Sequence, residues 1–321
     1  MLSRRHLRIK VLQALYAFHQ SKNNQLDSGE RELLRSLDKL YELFIYQLSL
    51  IVEIVDFTRK RIEENKQKFF PTRDDLNPST RFIDNKFYVV LSSNRDFQSY
   101  CDHYKINWAD EQEMIRKLTV LIRECPEYKE YMDARVTSFN TDKEIFITIF
   151  KKIISQSEIL QFYFEEKNIY WSDDFFVSSL LAIKVIKAWE PHWDETYKLP
   201  LIFGNNSGED DREDKEFILN LFRKSILKSK EFEKLIDDKV QNWEMDRIAI
   251  IDIILIKMAL VEITESPSIP IKVTLNEYIE LAKLYSTPKS KVFINGVLDK
   301  LISDLREQNL IIKTGRGLMD V

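Results

Sequence analysis

The chain has 321 residues, 44% of them hydrophobic and 31% charged, with a formal net charge of −4 at pH 7. This composition excludes a disordered chain and predicts two or more packed units, and the acidic balance argues against a uniformly basic surface for nucleic acid. Six glycines and two cysteines without a CxxC pair argue against Gly-rich nucleotide loops, a disulfide framework and a zinc site, so we expect a helical protein without a cofactor, a metal or a catalytic centre.

The first predicted element is a helix that begins after Ser3, a residue suited to a helix cap, and ends near Gln20. Its apolar residues recur at helical spacing on one face. They are Leu7, Val11, Ala14, Leu15 and Phe18. No apolar segment of the signal-peptide kind follows the basic start, and no apolar run reaches the length of a membrane span. We therefore expect a cytoplasmic protein with no membrane partner.

The middle of the chain is predicted to be helical with interruptions. Polar residues 21–29 end the first helix, and a long helix is predicted over residues 30–67. Residues 71–85, with two prolines, break the pattern. The apolar run 87–91 fits either a strand or a helix, because periodicity does not distinguish them over so short a length. Helical patterns then continue to residues 200–214, a polar and acidic segment that is typical of a linker.

A degenerate duplication is predicted inside the chain. Residues 142–190 align without gaps on residues 214–262, at a constant offset of 72. The alignment pairs Trp171 with Trp243 and one charged triplet with another. An aligned tryptophan and a conserved charge pattern favour a duplication over chance agreement between two helical sequences.

The C-terminal third is predicted to hold three helices. Residues 248–263 are apolar almost all round, which indicates the central helix of a bundle. Thr274 and Glu277 have the spacing of a capping box, and Thr287 with its following proline is expected to open the last helix. Residues 307–321 are expected to form a tail. The predicted buried stripe of the last helix consists of Ile294, Val297, Leu298, Leu301 and Leu305.

Three arginines, Arg4, Arg5 and Arg8, lie in the first turns of the first helix, and the first ten residues contain no acid. The helix dipole already places partial positive charge there, so the arginines destabilise the helix unless an anion compensates them. RNA could supply phosphates to this end and a base to stack on an arginine or on Tyr16. The alternative is that the basic residues only aid solubility.

Four segments carry a resemblance to a known family. Residues 269–283 read IPIKVTLNEYIELAK, and residues 290–300 read SKVFINGVLDK. Near the N-terminus, residues 4–8 read RRHLR and residues 13–16 read QALY. Together these segments resemble the NusB antitermination-factor family, whose signature lies near the C-terminus and whose RNA-binding start is rich in arginine.

The resemblance, which covers roughly residues 1–20 and 214–306, implies an all-α fold of two perpendicular three-helix bundles. It also implies binding of boxA-type single-stranded RNA together with NusE, a ribosomal protein of the small subunit, in the RNA polymerase antitermination complex on ribosomal RNA operons. By position, it implies partner contacts at Asp252 and Glu262. The residues implied to contact RNA are Arg4, Arg5, Arg8, Tyr16, Lys289, Lys291, Phe293 and Asn295.

Several of these residues also have a structural interpretation. Phe293 lies on the flank of the last apolar stripe and could complete the core. Asn295, beside a glycine, could allow two helices to approach closely. Asp252 could pair within its own helix, although an acid in a buried run needs some partner. In the predicted duplication Asp252 aligns with Leu180, so the first copy lacks this acid.

The departure from the family is a large insertion. We expect residues 1–213 to contain the first helix and a helical insertion, residues 214–306 to form the NusB-like region and residues 307–321 to form the tail. The function of the insertion is left open by its sequence. Its aromatic cluster is expected to be core rather than a ligand platform. This cluster consists of Phe162, Tyr163, Phe164, Tyr170 and Trp171.

Two other functions fit parts of the pattern. NusB-like helical domains also occur fused to methyltransferases that act on ribosomal RNA, but such an enzyme needs a Gly-rich cofactor turn, and no GxGxxG occurs here. The four histidines are scattered, so no catalytic dyad is expected. A helical scaffold without RNA affinity is the other alternative, and the salt dependence of RNA binding distinguishes it, because phosphate contacts weaken as salt rises.

Overall fold

The computed structural model describes residues 2–21, 25–134, 136, 138–203, 210–240 and 248–320. In these ranges the chain forms helices, turns and loops, with no strand, which confirms the predicted all-α class. The helices are α1 Arg4–Gln20, α2 Leu26–Lys66, α3 Arg73–Leu76, α4 Lys86–Ser93, α5 Arg95–His103, α6 Gln112–Glu124, α7 Pro126–Asp133, α8 Phe139–Lys152, α9 Glu158–Lys167, α10 Phe175–Ala188, α11 Asp210–Leu227, α12 Ser229–Lys239, α13 Ile250–Glu265, α14 Ile271–Tyr285 and α15 Ser290–Glu307.

The chain divides into two compact units. Unit 1 combines the N-terminal residues 1–36 with residues 203–321, and unit 2 consists of residues 37–202. The helix α2 contributes its first residues to unit 1 and the rest to unit 2. No helix within the described residues is both long and apolar enough to span a membrane.

The core of unit 1 is built around α13. Eleven of its sixteen residues are buried, which confirms the central position predicted from its apolar sequence. The helix α1 packs on α11 and α13, and α14 and α15 pack on α13 and on each other. The predicted stripe of α15 is buried throughout. Unit 1 is therefore a bundle in which the first helix of the chain packs on its last third.

The first helix begins as its sequence predicts. The side chain of Ser3 accepts a hydrogen bond from the backbone N–H of His6, so one otherwise unpaired donor of the first turn is satisfied. Leu7, Val11 and Leu15 lie on one face and are buried, and this face fixes α1 on the bundle.

Two predicted helix starts are wrong by several residues. The helix α14 begins at Ile271, after Pro270, so Thr274 and Glu277 lie inside it and form no capping box. Their side chains instead reach other helices. The last helix begins at Ser290 rather than beside Thr287, whose hydroxyl group is 2.8 Å from that of Ser290. At α14 the helix starts directly after Pro270, and the hydroxyl group of Thr274 makes a tertiary contact with Glu262 instead of a cap.

The segment after α15 returns to the loop between α13 and α14. The backbone N–H of Thr314 donates to the carbonyl oxygen of Pro267 at 3.0 Å. A Cβ added at Gly317 would lie 2.0 Å from the same oxygen. Only glycine allows the chain to approach this loop so closely.

Unit 2 has an aromatic core. Tyr46 of α2 packs against Trp108, Phe164 and Trp171, with ring centroids 5.5–6.1 Å apart. Phe164 and Trp171 are buried, as expected for the aromatic cluster, but Phe162 is exposed. The ambiguous run at residues 87–91 belongs to α4, a helix capped by the side chain of Asn85.

The predicted duplication has a counterpart in the helices. Shifted by the offset of 72, the helices α8, α9 and α10 overlap α11, α12 and α13 in turn. The aligned residues Phe150 and Phe222 are both buried, as are Phe164 and Ile236. These correspondences support the duplication, which stays a prediction. Trp243, one of its two aligned tryptophans, lies outside the described residues.

Candidate nucleic-acid interface

The arginines of α1 point toward neighbouring helices of unit 1. Arg4 contacts two acids at the start of α11: its guanidinium nitrogens lie 2.6 Å from Glu213 and 3.1 Å from Asp214. The same guanidinium lies over the ring of Phe217, 4.8 Å from its centroid. One third of the Arg4 side chain remains exposed.

Arg5 forms a two-pronged ion pair with α14. Its Nε and Nη2 atoms donate to the two carboxylate oxygens of Glu277 at 2.9 and 2.7 Å. The hydrogen bond from Arg5 holds the pKa of Glu277 below its ordinary value, and the same bond raises the pKa of Arg5. The Arg5 side chain is 44% exposed, so this pair is partly screened by water.

Arg8 forms a buried ion pair with Glu262 of α13. Two guanidinium nitrogens donate to the two carboxylate oxygens at 2.7 Å each, and the side chains are 3% and 0% exposed. Thr274 donates to the same carboxylate at 2.8 Å and Tyr278 at 3.3 Å. Burial opposes the charge on Arg8, but the hydrogen bond and charge of Glu262 raise its pKa. The pair joins α1, α13 and α14.

These contacts compensate the positive charge at the N-terminal end of α1. The start of α1 has three arginines and no acid in its first turn, and carboxylates of α11, α13 and α14 supply the compensating charge. The anions that the sequence requires are thus present within the chain, and RNA binding by these arginines stays a prediction. Any phosphate would have to compete with these carboxylates.

Tyr16 lies two turns further along α1. Its side chain is 38% exposed, whereas Val11, Leu12 and Leu15 of the same helix are buried. An exposed phenol ring on a helix that also carries exposed guanidinium groups can stack on an unpaired base.

A second set of predicted residues lies at the start of α15. Lys289 and Lys291 are exposed, and Phe293 is half-buried. The amide nitrogen of Asn295 donates to Asp299 one turn later, at 2.9 Å. Cations at the N-terminal end of a helix are unfavourable to its dipole, so an anion at this end would be stabilising.

A cleft of about 710 Å³ adjoins this helix start. Lys289 and Phe293 line it together with Asp252, a predicted partner contact. Asp252 is buried and accepts a hydrogen bond of 2.5 Å from the hydroxyl group of Ser286, so its interaction is with the end of α14 and not within its own helix. The structure thus brings Asp252 together with the predicted residues of α15, but pairs Glu262 with Arg8.

Sequence reasoning missed four residues of this site. Glu213, Asp214 and Glu277 are the acids that pair with the arginines, and Phe217 is the ring beneath Arg4. One signal was available. Arg8 has helical spacing to Val11 and Leu15 of the buried stripe, and a charge on such a stripe requires a buried counter-ion.

The described residues contain no group of three or more His, Cys, Asp or Glu side chains placed to hold a metal ion. In this part of the chain both cysteines have free thiols. Burial raises the pKa of the Cys101 thiol to about 12, so it is protonated at neutral pH.

Comparison with known proteins gives one consistent result. The NusB family model matches residues 179–303. A transcription antitermination protein NusB of Salinibacter ruber is 41% identical over 111 residues, which are 35% of this chain and 69% of that protein. That of Chloroherpeton thalassium is 34% identical over 141 residues, 44% of this chain and 67% of that protein. That of Koribacter versatilis is 36% identical over 95 residues, which are 30% of this chain and 65% of that protein. No solved structure matches the chain.

Proposed function

Because this chain belongs to the NusB family, we propose that it is a non-catalytic, RNA-binding transcription antitermination factor of the cytoplasm. We propose further that it binds boxA-type single-stranded RNA of ribosomal RNA operons together with NusE, within the RNA polymerase antitermination complex. The observation that carries the proposal is the exposed edge of α1, where the guanidinium groups of Arg4 and Arg5 and the ring of Tyr16 reach solvent.

The three arginines have different parts in this proposal. Arg4 and Arg5 are partly exposed and can exchange a carboxylate for an RNA phosphate at little cost, because exposed ion pairs contribute only about 0–1 kcal/mol. Arg8 and Glu262 are buried and form an ion pair with each other. In this proposal they contact neither RNA nor the partner directly. They hold α1 in the position that lets Arg4, Arg5 and Tyr16 reach RNA.

The start of α15 extends the proposed surface. Lys289 and Lys291 offer charge to phosphates, Phe293 offers a ring edge and Asn295 an amide. The cleft below them, with Asp252 in its wall, is the proposed contact for the protein partner. A partner that fills this cleft would cover Lys289, so RNA and partner binding at this end are expected to influence each other.

The test is binding of a boxA-type single-stranded RNA to the full chain, with and without NusE, as a function of salt. Arg4→Ala with Arg5→Ala should weaken binding and reduce its salt slope by up to about 2, because two phosphate contacts are lost. Glu213→Gln should strengthen binding, because it releases Arg4 from a competing carboxylate.

Lys283→Ala is the matched control, since Lys283 is an exposed lysine of α14 paired with Glu280 on its own helix. It should leave the affinity and the salt slope unchanged. RNA binding that is absent, or that is equal in the wild type and the double-arginine variant, would refute the assignment of α1. A salt-independent interaction would favour the scaffold alternative.

A further inference from the structure

The end of α2 in unit 2 carries an exposed aromatic pair. Phe69 and Phe70 are 90% and 83% exposed, and their rings meet edge to face with centroids 4.6 Å apart. They lie in the bend that follows α2, a helix of 41 residues that ends at Lys66, and Pro71 comes next. Burying a phenylalanine stabilises a protein by about 1.5–3 kcal/mol, so two adjacent rings left in water indicate a surface that something else covers.

The surroundings of the pair are basic, although the chain as a whole is acidic. Residues 59–73 contain six lysines and arginines but only two glutamates. Lys66 and Lys68 form exposed ion pairs with Glu63 and Asp75. Lys60 and Arg73 have no ion-pair partner within the described residues. Such a local excess of positive charge selects an anionic partner.

A cleft of about 550 Å³ lies between α2, α3, α6 and α7 of the same unit. Its lining includes Asn65 and Asp74, which are the two ends of the segment that carries the aromatic pair. Arg61 and Arg116 line it too, each paired with a glutamate of its own helix. This volume is within the range of small-molecule sites and suits a nucleotide.

Two further cations of the cleft, Arg123 and Lys129, make no ion pair with the described part of the chain. Of its three acids, Asp75 is already held by Thr72 and Lys68. The lining of the cleft therefore has four cations against three acids, and the segment that carries the two rings begins and ends at its wall.

We propose that this surface of unit 2, defined by Phe69, Phe70, Arg123 and Lys129, binds single-stranded RNA without sequence preference. The edge-to-face arrangement leaves ring faces open to solvent, and every base has a face that can stack on them. The cations hold the phosphates of the same strand. A flat lipid surface would meet the two rings but would not fill the cleft, so the concave wall with its cations Arg123 and Lys129 favours RNA.

This surface is separate from the one proposed for α1 and α15 and does not depend on it. It gives a function to the insertion, whose sequence alone did not indicate one. The chain would then bind RNA at two surfaces. One is the family-type surface, which is the surface proposed on α1 and α15 of unit 1, and the other is the aromatic surface of unit 2, which binds without sequence preference.

The test measures binding of a short single-stranded oligouridine to the full chain by fluorescence anisotropy at several salt concentrations. It is done in a chain that carries Arg4→Ala and Arg5→Ala, so that the contribution of the α1 surface is reduced equally in every variant compared. Phe69→Ala with Phe70→Ala should weaken binding about tenfold or more, since one lost stack corresponds to about 1–3 kcal/mol. Arg123→Gln with Lys129→Gln should lower the salt slope.

Phe162→Ala is the matched control, because Phe162 is also an exposed phenylalanine of unit 2 but lies on α9. It should bind as the parent does. Ultraviolet crosslinking should place an oligouridine adduct on Phe69 or Phe70. The proposal is overturned if the double-phenylalanine variant and the parent bind alike, or if the aromatic pair supports binding to phosphatidylserine vesicles and not to oligouridine.

Discussion

Arg8→Met tests whether the buried ion pair between Arg8 and Glu262 holds α1 on the bundle. Methionine keeps most of the volume and the helix propensity of arginine but removes its charge and its donors. Glu262 would keep hydrogen bonds from Thr274 and Tyr278 and lose Arg8, the one cation paired with it within the described residues. The variant therefore leaves a carboxylate uncompensated inside the protein.

The expected cost follows from burial. Exposed ion pairs contribute about 0–1 kcal/mol because water screens them, but the Arg8 and Glu262 side chains are 3% and 0% exposed. Removing one partner of a buried pair costs about 3–5 kcal/mol. Replacing both partners by apolar residues should cost less than Arg8→Met alone.

Hydrogen exchange followed by mass spectrometry is the suitable assay, because the chain has two units and need not unfold in one step. Opening free energies of peptides from α1, α13 and α14 should fall in Arg8→Met, while those of unit 2 stay unchanged. Lys283→Met, which removes an exposed pair of α14, provides the control. A loss in Arg8→Met no larger than in this control would refute the reasoning.

Two further predictions concern packing and pH. A Cβ at Gly29 would lie 2.6 Å from Cζ of Phe222, so Gly29→Ala should lower the free energy of unfolding by about 1 kcal/mol or more, whereas Gly296→Ala, with no atom within 4 Å, should be neutral or stabilising. Equal melting temperatures in the two variants would contradict this. The pKa of Glu277 is lowered by its hydrogen bond to Arg5, so this pair stabilises the protein at neutral pH, and its contribution is lost as the pH falls through the lowered pKa of Glu277. In Arg5→Ala, acid unfolding of α14 should begin at a higher pH, and an unchanged acid transition would contradict this.

The helices that the sequence predicts well are those in which a local pattern of apolar residues repeats over several turns. The helix α1 has a cap at Ser3 and three turns of apolar stripe, and α13 is apolar almost all round, so each pattern is repeated over enough residues to be unambiguous. The start of α14 was predicted wrongly because the hydroxyl of Thr274 and the carboxylate of Glu277 suit a local cap and a distant contact equally well. The two contacts they make, with Glu262 and Arg5, are both tertiary.

For the candidate site, sequence indicated the chemistry but not the partners. The arginines of α1 were recognised as cations that need anions, and the structure supplies carboxylates more than 200 positions away in the chain. Helical spacing indicates that Arg8 needs a buried counter-ion, but neither spacing nor composition identifies which distant carboxylate supplies it. The exposed pair Phe69 and Phe70 was likewise invisible to pattern analysis, since the apolar residues of a helix end are usually buried.

The long-range pairs also explain how unit 1 tolerates an insertion between its two halves. Arg4, Arg5 and Arg8 join the N-terminal segment to α11, α13 and α14, and Arg223 of α11 pairs with Glu30 of α2. Residues 37–202 form a compact unit of their own, so their ordering is stabilised by their own core. Because the entropy of closing a loop rises only slowly with its length, a folded insertion adds little to the cost of bringing α1 back to α13. Weakening the α1 contacts should therefore loosen the family-type RNA surface and leave the aromatic surface of unit 2 intact, which makes the two proposed binding sites separable by mutation.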